Sequence, residues 1–287
     1  MKPVRFNHVA PSSVEEAVMI LQNAQGDARI IAGGQSLMPM LNFRLATPTL
    51  LVDLNRIAAL SGIGMTDEGL RIGAMTRTRD IETSALIAQH QPLIAHAVPH
   101  IAHLPIRSRG TIGGSLSHAD PAAEFPALML AVDAQMVLHG PQGARVVPAG
   151  EYFQGLFETA TKSAEILTHI DLPHWPEARR FGFQEYSRRR GDFALAGIAF
   201  WADMDGDICG ECRVVAFGVS DRPVRLHGVE QILQSHPLND ADAMLQARDA
   251  VDDLLEPDSD LQASAEYRRM LAAELLQRAV HAAGGMA

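Results

Sequence analysis

The sequence predicts an α+β protein built as three successive units, and three observations carry that expectation. Short apolar runs bounded by turn residues, the pattern of buried strands, alternate with segments in which apolar residues recur at helical spacing. The mixture changes character near residues 55 and 175, giving units over 1–55, 56–175 and 176–287. A chain of 287 residues with 47% hydrophobic content is long enough to bury more than one core.

In the first unit, Ser13 and Glu16 form an S-x-x-E capping box ahead of Val14, Ala17, Val18 and Leu21, so a helix is expected there. The runs at 30–32 and 50–52 are short, apolar and separated by enough chain for crossovers, which suits buried strands of a small α/β unit. The second unit opens at Gly69, with strands expected over 70–74, 135–138, 145–147 and 166–172 and a helix over 127–132. The segment 140–143 (GPQG) reads as a hairpin turn and 173–176 (PHWP) as a linker. Beyond it, strands over 181–186, 193–202 and 208–219 make a three-stranded sheet, followed by helices over 229–234, 241–255 and 264–283. From Asn239 onward ten acids stand against four arginines, the composition of a solvated face.

The formal net charge is −10, and no basic patch is visible, so phosphate neutralisation of a nucleic acid is not a function the chain is built for. No apolar run approaches the roughly 20 residues that span a bilayer. Residues 1–10 lack the apolar stretch of a secretory signal, and the protein is read as cytoplasmic. Cys209 and Cys212 are the only cysteines, too few for a four-cysteine iron–sulfur cluster. They fall on the return strand of a hairpin after the turn at 205–207. Strand side chains alternate faces, so residues three apart should point oppositely and chelate poorly, and the pair is read as two ordinary strand thiols.

Two glycine-rich segments carry the chemistry. One, Ala32-Gly33-Gly34-Gln35-Ser36-Leu37, follows an expected strand; the other, RGTIGGS at 109–115, follows a helical stretch. Glycine lets backbone approach a ligand closely, and consecutive amides turned into one concavity make an anion nest, to which Ser36, Thr111 and Ser115 add hydroxyls. Two such loops can clamp a diphosphate. Neither fits G-x-x-x-x-G-K-[ST], and no G-x-G-x-x-G opens a helix after a strand, so the P-loop and Rossmann routes to a nucleotide are both missing. There is no G-x-S-x-G and no H-E-x-x-H, hence no recognisable nucleophile with its base.

The segments IIAGGQSLMPMLNFRLATPTLLVDLNRI, IRSRGTIGGSLSHADPAAEFPAL and FQEYSRRRGDFALAGIA, in this order, resemble the three signatures of the FAD-binding medium subunits of molybdenum hydroxylases. That family includes carbon monoxide dehydrogenase, N-heterocycle dehydrogenases and the FAD domain of xanthine dehydrogenase. The resemblance covers nearly the whole chain. It implies a two-subdomain FAD-binding fold of the vanillyl-alcohol-oxidase type, followed by the family's C-terminal domain. It also implies that Ile30, Ile31, Ala32, Gly33, Gly34, Gln35, Ser36 and Leu37, together with Thr111, Gly113, Gly114 and Ser115, hold the FAD diphosphate. Glu124 would take the adenosine ribose, Ile101 and Ala102 would lie beside the adenine end, and Leu167 and Gln184 near the flavin. The implied partners are a small subunit with iron–sulfur clusters and a large subunit with the molybdenum cofactor, in a dimer of heterotrimers. FAD would relay electrons from the clusters to an external acceptor, while the large subunit oxidises an N-heterocycle, carbon monoxide or an aldehyde. The alternatives are a flavin-free scaffold subunit and a free-standing flavin oxidase of the same fold.

Gln184 stands where xanthine dehydrogenases carry a lysine, and Phe193 where carbon monoxide dehydrogenase carries a tyrosine. A cation beside a flavin stabilises its anionic reduced form, so its loss alters redox tuning, and NAD is not assumed as the acceptor. Arg188, Arg189 and Arg190, beside Asp192 and Glu185, read as an ion-pairing edge or a subunit contact. His96, His100 and His103 recur at helical spacing on a segment that otherwise reads as packed helix. Asp120 and Pro121 read as the N-cap and first position of the helix that enters Glu124.

Overall fold

The computed structural model describes residues 1–24 and 26–285. Three main sheets succeed one another along the chain, with a small two-stranded one, Phe153–Gly155 with Glu158–Thr159, before the third. In the first, Asn7–Val9, Leu50–Asp53 and Ala28–Ile31 lie side by side in that order and run parallel. Parallel neighbours need a crossover: Ala28–Ile31 and Leu50–Asp53 are joined through the helix Leu37–Asn42, and the two outer strands are linked by the helix Val14–Asn23. Ser13 caps that helix, accepting from the Glu16 amide at 3.1 Å, but the Glu16 carboxylate reaches Ser12 N at 2.7 Å, so the box closes one residue early. Ala17, Val18 and Leu21 pack on Val52 and Leu54. The strand Asn7–Val9 was not expected: three residues, two of them exposed, offer no alternation to read.

The second sheet is antiparallel, in the order Ile63–Thr66, Gly69–Gly73, Ile166–Pro173, Gln135–Gly140, Gly143–Pro148. Gly140 pairs with Gly143, which makes the GPQG segment the hairpin turn its residues indicate. The helix expected over 127–132 begins three residues earlier, as Glu124–Ala131. In the third sheet Arg179–Tyr186, Ala196–Asp205 and Ile208–Phe217 are joined by a two-residue edge, Val224–Arg225, so the expected three strands gain a short fourth. Phe193 lies before its strand rather than in it, and is 60% exposed.

This third sheet is buried on both faces. Phe181, Phe183 and Glu185 pair with Trp201, Ala199 and Gly197; Gly182, Gln184 and Tyr186 pair with Phe200, Ile198 and Ala196. Side chains of directly paired residues share a face. The first face joins the core built around the second sheet and the helix Glu124–Ala131; the second packs under the helices Ala241–Leu254 and Ala265–Ala283.

Cys209 and Cys212 correct the expectation drawn from strand alternation. Between the pairs Ala202 with Cys212 and Met204 with Cys209, two residues, Gly210 and Glu211, lie opposite the single Asp203. This bulge adds one residue to the strand and returns both cysteines to the same face, fully buried in the core of the helical layer. The neighbouring Cys209 thiol, together with burial, pushes the Cys212 thiol well above its usual range, and Cys212 Sγ donates to the Glu230 carbonyl. The pair behaves as core.

Trp201 fastens the third sheet to the second unit. Its Nε1 donates to the Ala131 carbonyl at 2.6 Å, and Arg179 and Arg213 approach its ring, with Cζ 3.5 and 5.5 Å from the centroid. Both arginines are fixed by forked bonds to carboxylates, Arg179 to Asp203 and Arg213 to Asp133. Trp201→Ala should therefore cost about 3–5 kcal/mol, read as a lowered urea midpoint. A loss no larger than that of an exposed residue would refute the role.

Candidate functional site

The two glycine-rich loops meet. The first leaves the strand Ala28–Ile31 and turns into the helix Leu37–Asn42; the second joins the helices Leu104–Arg107 and Ile112–His118. A Cβ on Gly33 would stand 2.3 Å from the Arg109 carbonyl oxygen and 2.8 Å from Gly110 Cα. One on Gly113 would stand 2.5 Å from the Ala74 Cβ, against the segment that follows the strand Gly69–Gly73. At both glycines the space a side chain would take is filled by protein, so the absence of a side chain lets protein backbone approach protein.

The loops also differ in what they offer. In the second, the amide of Ile112 is bonded to Thr76 O, Gly113 to Ala74 O, Gly114 to the Thr111 hydroxyl and Ser115 to Thr111 O, at 2.8–3.2 Å. In the first, among the described residues, the amides of Gly33, Gly34, Gln35, Ser36 and Leu37 meet no protein acceptor. Residues 30–38 are all half-buried, neither core nor open surface. The first loop thus presents a row of five amides, packed against the second loop at Arg109 and Gly110. Thr111 Oγ1 accepts from Gly114 and keeps its own proton to donate. Such a row of neutral donors holds an anion without the chain being basic.

A buried carboxyl pair lies elsewhere in the site region. Glu124, first residue of its helix, is 6% exposed, and burial, reinforced by the charge of Glu185, pushes its carboxyl up to about 8. The Glu185 side chain is also 6% exposed; one oxygen lies 3.6 Å from His100 Nδ1, and the other is buried with no partner among the described residues. Ile101 and Ala102 follow His100 directly, so the structure gathers Glu124, Glu185 and that segment. Sequence reasoning missed Glu185. The available signal was its place at the end of the alternation Phe181, Phe183, Glu185, which turns it inward. Gln184 pairs with Ile198 and so lies on the opposite face, towards the C-terminal helices. Leu167 is buried in the same core as Phe183.

Three smaller expectations change. Asp120 does not cap the helix: Ala123 is the N-cap, and Asp120 Oδ1 instead accepts from the Ala122 amide at 2.9 Å, closing a turn ahead of it. His96 and His100 set their rings edge-on to Phe181 and Phe183. Among the described residues none of Arg188, Arg189 and Arg190 is ion-paired, and the strand carries Glu185 inward to His100.

A loop of amides without protein acceptors, packed against a second glycine-rich loop, has the chemistry of an anion-holding cradle. The family described as "FAD binding domain in molybdopterin dehydrogenase" matches residues 4–175, and "CO dehydrogenase flavoprotein C-terminal domain" matches 181–283. The chain belongs to this family: it is an FAD-binding medium subunit of the molybdenum hydroxylase type, an oxidoreductase component whose relatives are named as subunits of multi-subunit complexes. It is 39% identical to the 6-hydroxypseudooxynicotine dehydrogenase complex subunit alpha of Paenarthrobacter nicotinovorans, over 97% of this chain and 94% of that one. The carbon monoxide dehydrogenase structure from Hydrogenophaga pseudoflava superposes with a TM-score of 0.97 at 36% identity, covering 100% of this chain and 99% of that one. Quinoline 2-oxidoreductase from Pseudomonas putida 86 gives 0.94 at 36%, with coverages of 100% and 99%. Among the described residues, no helix is long and apolar enough to cross a membrane.

Two outcomes follow from this geometry. Gly33→Ala drives a methyl into the Arg109 carbonyl and should weaken FAD binding about tenfold or more, measured by titration of the flavin-free protein. The raised Glu124 carboxyl means that the folded chain keeps a proton between its ordinary value of 4.5 and about 8 that the unfolded chain releases. Stability of the flavin-free protein should therefore fall as pH rises through that window, and Glu124→Gln should flatten the slope in urea melts.

Proposed function

We propose that the chain relays electrons, through FAD, from iron–sulfur clusters of a small partner subunit to an external acceptor. The large partner subunit would carry the molybdenum cofactor and choose the substrate, and the assembly would be a dimer of heterotrimers. The names of the relatives support this: they are medium chains and complex subunits of dehydrogenases, among them carbon monoxide dehydrogenase and caffeine dehydrogenase. An N-heterocycle, carbon monoxide or an aldehyde is the substrate class this supports, with the choice made outside this chain. The division into 1–55, 56–175 and 176–287 assigns the cradle to the first two units and the two-faced sheet to the third.

The row of five unpaired amides from Gly33 to Leu37 carries the reading. They donate to the diphosphate oxygens, and the hydroxyls of Ser36, Thr111 and Ser115 donate from the flanks. The preceding Ile30, Ile31 and Ala32 form the approach, and Gly113 and Gly114 keep the facing wall close. Glu124 accepts from the ribose hydroxyls, with Ile101 and Ala102 beside the adenine and Leu167 behind the flavin. Gln184, on the far face, is left out of this set. When bound, FAD supplies the step between paired and single electrons that no side chain here offers. A flavin-free scaffold would have no use for five amides without partners.

The purified complex should release FAD on denaturation, one per medium chain, and its flavin absorbance should bleach anaerobically when the complex oxidises its substrate. A complex that turns over with no flavin, or with one that stays oxidised, would overturn the relay. Ribose hydroxyls donating to Glu124 favour its anion, so FAD binding should expel a proton, and affinity should rise as pH increases from about 6 to 8. Glu124→Gln should abolish that dependence in a fluorescence titration; an unchanged pH profile would exclude the ribose contact.

A further inference from the structure

We infer that Asn55 and Arg77, both outside the glycine-rich loops, are positioning residues that aim the amide nest; the inference rests on the FAD reading of that nest. Arg77 precedes the helix Thr78–Glu82 and stands beside Thr111 in an isolated antiparallel bridge. Its guanidinium fork is divided. Nη1 donates to the Arg109 carbonyl, the oxygen that Gly33 lies against, and Nη2 donates to Asn55 Oδ1 at 2.6 Å. Asn55 Nδ2 in turn donates to the Ala32 carbonyl at 3.0 Å. Asp53 Oδ1 holds Asn55 in place, accepting from its backbone amide at 2.9 Å and its side-chain amide at 2.6 Å.

The consequence follows from the planarity of the peptide. In a trans peptide unit the C=O and the next N–H point in opposite directions. By drawing the Ala32 carbonyl to one side, Asn55 turns the Gly33 N–H to the other, which starts the row of unpaired donors. Gln35 repeats the device one residue on: its Nε2 donates to the Gly33 carbonyl at 2.9 Å, which sets the Gly34 N–H. Arg77 ties this orientation to the second loop, because the guanidinium that holds Asn55 also holds Arg109. Lysine cannot replace Arg77 here, since one ammonium on a flexible stem does not span two acceptors in a fixed fork.

The test uses the full chain as it purifies, with any partner subunits attached, stripped of flavin and titrated with FAD. Asn55→Ala, Asn55→Asp, Arg77→Met and Arg77→Lys should each raise the FAD dissociation constant about tenfold, with Asn55→Ala and Arg77→Met combined no worse than the weaker-binding single variant. Asn55→Asp matters most: it keeps an acceptor for Arg77 but loses the donor to Ala32. The melting temperature of the flavin-free form should stay at the wild-type value. Full affinity in Arg77→Lys would mean that Arg77 acts as a charge on the phosphates, and would overturn the inference. So would a melting temperature that falls in step with affinity, the mark of a structural staple, or FAD binding by all four variants as tight as wild type. A wild-type chain that takes up no FAD would instead overturn the nest itself.

Discussion

Two backbones cannot share the space between Gly33 and Arg109 unless one of them lacks a side chain, and the rest of the site depends on that contact. It joins a loop that leaves a parallel sheet to a loop carried by helices over an antiparallel one. The two sides then divide the work. The second loop bonds its amides to its own helix and to the segment at Thr76 and Ala74, and so becomes rigid. The first, among the described residues, leaves its amides without a protein acceptor, and the carbonyls behind the Gly33 and Gly34 amides are held by Asn55 and Gln35.

The positions of both loops were legible in the sequence, since paired glycines after a strand and after a helix mark places where the backbone bends sharply. Their roles were not. Sequence cannot say whether a glycine is small for a ligand or for a neighbouring chain segment, and here Gly33 and Gly113 are small for the protein. Nor can it say which amides are free, because that depends on acceptors such as Thr76 O and Ala74 O, which tertiary structure brings close. Strands were readable where short apolar runs mark the core, as at 30–32 and 50–52; Asn7–Val9, mostly exposed, was not. Alternation through Phe181 and Phe183 carried the signal that turns Glu185 inward, but alternation misled at Cys209 and Cys212, where a bulge inserts a residue that no local pattern announces.

The third sheet serves two cores at once. One face completes the hydrophobic interior of the flavin-binding half, through Phe183, Trp201 and Phe217; the other supports the helical layer through Ile198, Phe200 and Val214. The C-terminal unit is therefore a wall of the same building, and its loss would expose the interior of the second unit rather than leave a trimmed domain. Glu185 sits on the inner side of that wall, which is how a residue of the C-terminal unit reaches the carboxyl of Glu124.

The two sealed thiols give the molecule an internal gauge. Cys209 and Cys212 lie wholly within the layer beneath the C-terminal helices and are the chain's only sulfhydryl groups. An alkylating reagent can reach them only when that layer opens. The rate of labelling therefore reports the breathing of the outer helices, separately from anything the cradle does with its nucleotide.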